Sequence, residues 1–423
     1  VTAAGSTATE STENGSAIRI IAGSRFFRAA VIGLFFSGIG LSATAPQLTL
    51  FLVDDLGASL SVAGLYYLTN LMAPVAGYLI GRLSDRSENR LVLYRICALA
   101  GAAGWTVIAF AHAIWVPFVV SIVALSIGGA AMSQLFAACR DELNRTPTGA
   151  DSRVISVVRM AYTAGFILGP VLGAWFGSIA GLRAVLLATA ACLVAQIIPL
   201  GTQRVIRYRR VTRVSADGVT EVVADGGPAA LIVFTGLTVV AMAGDTIKFG
   251  YLPIYMDQNL GLPDSLRGAV IGLQPLLEFC LMPVAAWCAD RFGLLRVFAV
   301  GIALGAIADI AYATSTSVAG VIAGQVLVAG QWGCVAGLGV VIAQELYPSR
   351  VGTASGIFMS SVPIAGALGG AVGGLGAASL GLPHVFLPPA VLSAAAFIGM
   401  VLLAQWHSRR EADRVGSVDP GPS

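Results

Sequence analysis

Twelve apolar stretches, each long enough to cross a bilayer, leave this chain one environment in which it can fold. A spanning helix needs about 20 mostly apolar residues. Stretches of that kind cover residues 28–53, 61–83, 91–111, 114–139, 154–177 and 183–203, then 229–256, 265–289, 294–314, 318–344, 352–378 and 383–405. Most connections between them are very short, so consecutive helices run antiparallel. Charge is too scarce for a soluble fold: Asp, Glu, Lys and Arg make up 11% of the 423 residues, and mean hydropathy is +0.83. A soluble domain carries about 25% charged residues. The 51 glycines suit helices whose backbones approach closely in lipid. The expected fold class is an all-α membrane protein with twelve transmembrane helices.

Positive charge sets the orientation, because cytoplasmic loops and helix ends collect Lys and Arg. With the N-terminus inside, 22 of the 25 basic residues fall at or near the cytoplasmic side, all but Arg183, Arg267 and Lys248. The loop holding Asp54 and Asp55 contains no basic residue, as an outer loop should. Both termini are therefore expected in the cytoplasm. Residues 1–24, rich in Ser, Thr, Ala, Gly and Glu, lack the basic-then-apolar pattern of a signal peptide and read as a disordered tail. Residues 407–423 form a second tail. The six cysteines lie in apolar stretches without a CxxC or Cys/His cluster and read as small buried hydrophobes. His112, His384 and His407 sit at span ends and form no metal constellation.

A basic linker over 204–228 divides the chain into six-helix halves, residues 25–203 and 229–406. The halves share a weak repeat. Asp85-Arg86 recurs as Asp290-Arg291, Asp141-Glu142-Leu143 as Gln344-Glu345-Leu346, and Ser152-Arg153-Val154 as Ser349-Arg350-Val351. A parallel repeat of this kind marks two pseudo-symmetric bundles that rock around a site near the membrane midplane.

The hinge over 81–90, Gly-Arg-Leu-Ser-Asp-Arg-Ser-Glu-Asn-Arg, resembles the loop signature of the major facilitator superfamily. Glu88 and Asn89 replace its usual glycine and basic residue. Gly165, Gly169-Pro170 and Gly173 are similar to the glycine-proline pattern of exporters in that superfamily. A narrower resemblance is to the bacterial sugar efflux transporters. It rests on residues 45–52 (Ala-Pro-Gln-Leu-Thr-Leu-Phe-Leu), Gln134-Leu135-Phe136-Ala137 with Arg140, Val158-Arg159, residues 260–264, Leu277-Glu278 and residues 344–350. In the seventh stretch Asp245, Lys248 and Tyr251 depart from the polar set of that family. The resemblance implies the major facilitator fold in a bacterial cytoplasmic membrane. It also implies a monomer in contact with lipid that moves a sugar or small glycoside, with protons as the coupling ion and no cofactor.

A charge at mid-membrane costs about 2.5–3.5 kcal/mol on the translocon scale, so ionisable residues in the spans face the interior. Glu278 and Gln274 lie on one helical face, four residues apart. Glu278 either meets cargo and protons or only fixes packing. Asp245 and Lys248, three apart, either bind and couple or neutralise each other. Tyr251 and Tyr255 continue that stripe, with Tyr255 expected as an interface anchor. Gln47, Asn70, Gln274, Gln325 and Gln331 offer amides that donate and accept, and Trp332 offers a face for a sugar ring. Gln134 lies too near the cytoplasmic end to reach a central cargo, and Asp309 is expected to reach water at the outer end of its helix.

The hinges are read as latches between halves. Asp85 is expected near the start of the eleventh span, residues 352–355, where free amides favour a carboxylate, and Asp290 near Ile155. Gly81, Arg86, Arg90 and Arg291 complete the two hinges, and Arg140 and Arg159 either bind an anionic cargo or join the same ion-pair network. The expected function is export of sugars or small glycosides by alternating access, coupled to protons through Glu278 and Asp245. The alternative is efflux of drugs or other amphiphilic compounds. No nucleophile–base pair, metal set or phosphate-cradling loop points to an enzyme. The basic linker is explained by topology and anionic lipid rather than nucleic acid.

Overall fold

The structure, a computed structural model, describes residues 18–84, 86–146, 151–205, 227–348 and 351–416. The inner part of the linker (206–226), Asp85 and most of the two tails lie outside these residues. Eleven segments among the described residues are long and apolar enough to cross a membrane. They are α1 (Arg25–Thr44), α3 (Arg90–Ala109), α4 (Trp115–Arg145), α5 (Val157–Ala180), α6 (Leu182–Leu200), α7 (Ala229–Gln258), α8 (Asp264–Phe292), α9 (Leu294–Thr314), α10 (Val318–Leu346), α11 (Ala354–Leu380) and α12 (His384–Arg409). The remaining expected helix, α2, is interrupted. It runs as α-helix over Leu60–Leu65, tightens to a 3-10 helix over Tyr66–Leu71, and returns to α-helix over Met72–Ser84. Pro74 has no N–H for the carbonyl of Asn70, and the turn before it tightens.

Other interruptions follow the same rule. Pro46 cannot donate to the carbonyl of Ser42, and α1 ends at Thr44 before the chain resumes as Leu48–Leu50 and a wide π-turn at Phe51–Asp55. Pro363 removes the donor for Met359, and the helix leading into α11, Val351–Met359, breaks before Ser361–Leu380. Near the N-terminus, residues 18–23 are already helical and Ile21 is buried, within the stretch expected to be a disordered tail.

The surface is apolar and the interior holds the polar groups. Trp115, Ile179, Leu375 and Val391 are about two-thirds exposed, whereas Gln325, Gln274, Gln331 and Lys248 are buried. That inversion suits a lipid surround. Cys280 is also exposed, against the expectation that every cysteine is buried. Arg183 bonds Asp55 (3.0 Å) and the Ala109 carbonyl (2.9 Å), and Arg267 pairs with Asp264. The two arginines that break the charge rule are thus each neutralised locally.

The chain forms two compact units. One contains Val1–Ala58, Thr69–Gly218 and Leu262–Gly272; the other contains Ser59–Leu68, Val219–Gly261 and Leu273–Ser423. The first turns of α2 belong to the second unit and those of α8 to the first.

Close helix packing in the first unit rests on glycines. α5 lies against α1 with Gly165, Gly169 and Gly173 in the seam. A Cβ on Gly165 would meet the Phe35 carbonyl oxygen at 2.2 Å, one on Gly169 the Ser42 Oγ at 1.8 Å, and one on Gly173 the Ala43 carbonyl oxygen at 2.5 Å. The glycine-proline pattern is thus, physically, a backbone-to-backbone contact. In the second unit α11 does this on two faces. Gly369 and Gly373 press on Ala243 and Tyr251 of α7, while Gly370 and Gly374 press on Tyr67, Gly64 and Ser61 of α2.

Filling such a seam should overpack it, at about 1–3 kcal/mol. Gly169→Val is expected to lower the thermal unfolding midpoint in detergent, whereas Gly77→Ala, with open space around its Cβ, leaves it unchanged. Equal midpoints for the two variants would show that the seam is not tight.

Candidate functional site

The polar centre of the second unit begins with a fault in α7. At Met242 the helix is interrupted and then restarts at Ala243. The Asp245 N–H bonds the Met242 carbonyl (3.2 Å) rather than the Ala241 carbonyl one residue earlier. The Ala241 oxygen is therefore available, and it accepts from Gln331 Nε2 of α10 (3.2 Å) and Ser393 Oγ of α12 (3.0 Å). Gly305 leaves room for that amide, since a Cβ there would lie 2.4 Å from it. The restart puts Asp245 in a first helical turn, where free N–H groups favour a carboxylate.

From Asp245 a chain of polar contacts crosses three helices. Lys248 Nζ, one turn along α7, bonds Asp245 Oδ1 at 2.6 Å and Gln274 Oε1 of α8 at 2.6 Å. The Gln274 Nε2 donates to Glu278 Oε2 at 3.1 Å. On the other side, Trp332 Nε1 of α10 donates to the same Asp245 oxygen at 3.0 Å. Lys248 is 1% exposed and Gln274 3%, while the Asp245 side chain keeps 18% exposure. The ammonium and Gln274 are enclosed, while Asp245, Glu278 and Trp332 keep partial exposure. A half-buried set containing carboxylates, an amide and an indole can exchange hydrogen bonds with a polyhydroxylated molecule.

Asp309 of α9 joins this centre, contrary to the expectation that it reaches water. It is 5% exposed, and its carboxylate lies against Gly244, where a Cβ would approach its oxygens at 2.6 and 2.8 Å. Asp309, Asp245, Lys248 and Gln331 line one small pocket with Ala241, Gly244 and Val328. The sequence signal for Asp309 was its charge within an apolar stretch. Its position along the helix misled, because the inward face continues to that depth.

The structure brings Asp245, Lys248, Gln274, Glu278 and Trp332 into one network, with Gln331 beside it. Gln331 holds the Ala241 carbonyl instead of presenting its donor to a cargo. Tyr251 is likewise engaged: it is buried and its hydroxyl donates to the Leu60 carbonyl (2.9 Å). Tyr255, expected as an interface anchor, is buried and donates to the Ser315 carbonyl, and Gln325 accepts from Tyr312 (3.0 Å). Gln47 is buried at the turn after α1, and Asn70 is half-buried in the 3-10 segment of α2; both belong to the first unit.

At the hinge, Arg90 bonds Asp141 and Ser84. Arg140 and Arg159 are both exposed. Gly81 is half-buried; Arg86, Asp290 and Arg291 are exposed.

Long apolar helices enclosing a charged, amide-rich centre define a membrane transport protein. The family model of the Major Facilitator Superfamily matches residues 30–216 and 234–422, and the chain belongs to that superfamily. Its twelve helices accordingly form the major facilitator fold, in a multi-pass inner-membrane protein. Sugar efflux transporter A of Escherichia coli (strain K12) is 26% identical over 380 residues, 88% of this chain and 94% of that protein. Multidrug resistance protein MdtG of Proteus mirabilis (strain HI4320) is 29% identical over 169 residues, 38% of this chain and 40% of that protein. Among solved structures, the nucleoside transporter NupG (D323A mutant) superposes with a TM-score of 0.73 at 16% identity, covering 89% of this chain and 99% of that chain.

The ion pair yields a stability test. Removing one member of a buried pair costs about 3–5 kcal/mol, and the partial exposure of Asp245 places Lys248→Met near the lower end. The double variant Asp245→Asn with Lys248→Met is expected to recover most of the loss. Purely additive losses in unfolding midpoint would show that the two side chains do not interact.

Proposed function

We propose that this transporter exports sugars or small glycosides by alternating access, driven by proton entry. The observation that carries this reading is the buried network of Asp245, Lys248, Gln274, Glu278 and Trp332. Sugar recognition calls for paired donors and acceptors beside an aromatic face, and this network has both. The near full-length similarity to a sugar efflux transporter supports the same class of cargo. In this reading Tyr251 and Gln331 position the α7 wall.

Proton coupling is assigned to the carboxylates, since Asp245 bonds the Lys248 ammonium and Glu278 is linked to it through Gln274. The hinges act as latches: Asp85, Asp290 and their basic neighbours favour one access state without touching cargo. Both termini face the cytoplasm, and the protein works as a monomer in lipid. The partial-length match to a multidrug resistance protein favours a second reading, efflux of amphiphilic drugs. Susceptibility of an overexpressing strain to antibiotics and to toxic sugar analogues separates the two.

Everted vesicles should accumulate labelled sugar against its gradient; no accumulation across a broad sugar panel would defeat the proposal. Glu278→Gln should remove the component of uptake that collapses with the pH gradient while sugar binding persists. A Glu278→Gln protein still fully driven by pH would exclude that residue from coupling. Asp85→Asn should slow transport with little change in sugar affinity, and a large loss of affinity would reject the latch.

A further inference from the structure

Three carboxylates, Asp245, Asp309 and, through Gln274, Glu278, share the polar centre of the second unit with the single ammonium of Lys248. Two of them are already served: Asp245 by Lys248 and Trp332, and Glu278 by Gln274. Asp309 is the most deeply buried of the three and forms no ion pair among the described residues, although Lys248 lines the same pocket. Ser393 of α12 approaches its carboxylate, and Tyr312 lies one turn along its own helix. No cation other than Lys248 lines that pocket.

We propose that Asp309 is a further proton-binding residue of this centre and that Lys248 is a counter-ion shared between Asp309 and Asp245. The proposal rests on the coupled-transport reading above and adds a third carboxylate to the Glu278 and Asp245 of that reading. An anionic carboxylate buried without an ion pair is costly, and binding a proton removes that cost. With Asp309 protonated, Lys248 stays on Asp245 and Gln274, as seen here. When Asp309 gives up its proton, it becomes the stronger partner and Lys248 Nζ moves toward it. That move releases the Asp245 carboxylate and the Gln274 carbonyl oxygen, which then accept hydroxyl hydrogens from a sugar. Proton return to Asp309 sends Lys248 back and displaces the sugar. One site thus holds either the proton or the cargo, which is the logic of an antiporter. Gly244 is part of the device, because any side chain there would push the Asp309 carboxylate out of the shared pocket.

The test needs no cargo. The Trp332 indole donates to Asp245, so its emission reports where Lys248 sits. In purified protein, the emission that disappears in Trp332→Phe is followed through a pH titration. Wild type is expected to show a transition, Asp309→Asn to lose it, and Gly244→Ala to move its midpoint. A transition unchanged in both variants, or none in wild type, overturns the proposal. If Asp309→Asn does not yield folded protein, Gly244→Ala decides alone, a shifted midpoint supporting the assignment and an unshifted one rejecting it. In everted vesicles Asp309→Asn is expected to lose both sugar counterflow and concentrative uptake, because its neutral side chain leaves Lys248 on Asp245 and Gln274; concentrative uptake by this variant also overturns the proposal. Absence of sugar transport by wild type, with the titration intact, would instead reject the sugar reading and leave the proton site standing.

Discussion

A backbone carbonyl that loses its helical donor inside a bilayer has no water to turn to, so the protein must supply a partner. The Ala241 oxygen is in that position, and much of the second unit is arranged around it. Gln331 and Ser393 satisfy it from α10 and α12. The same interruption sets the start of the lower half of α7, and with it the place of Asp245 in a first turn and of Lys248 one turn on. Gln331 in turn needs the bare backbone of Gly305 beside it. The charged centre is thus a consequence of how one break in a helix is repaired.

Packing elsewhere follows from the weakness of the hydrophobic effect between helices in lipid. Helices there associate through close approach and hydrogen bonds. In the first unit the glycines of α5 let α1 come to backbone contact, and Thr44 and Thr189 add a buried hydroxyl pair between α1 and α6. Larger side chains fill the second unit's inner layers, where Phe234 stacks on Phe358 with ring centroids 5.6 Å apart.

Most of the fold was legible because long apolar runs report a single physical demand, the thickness of the hydrocarbon layer. The helix breaks were only partly legible. Pro46, Pro74 and Pro363 announce theirs by removing a donor, but nothing in Val239-Val240-Ala241-Met242 announces the break in α7. At the site, spacing alone joined Asp245 to Lys248 and Gln274 to Glu278, because both pairs lie on single helices. Lys248 to Gln274, Trp332 to Asp245 and Asp309 to Gly244 cross between helices, and helical periodicity carries no information about which face meets which. Tyr251, Tyr255 and Gln331 have the composition of cargo ligands, yet each bonds a backbone carbonyl, a use that depends on a neighbouring helix.

The two-sided glycine run of α11 has an evolutionary consequence. Gly369, Gly370, Gly373 and Gly374 alternate between α7 and the first turns of α2, so a Cβ at any of them collides with one neighbour or the other. Substitution in α11 is therefore constrained on two faces at once, whereas Glu278 of α8 and Trp332 of α10 each keep an open side.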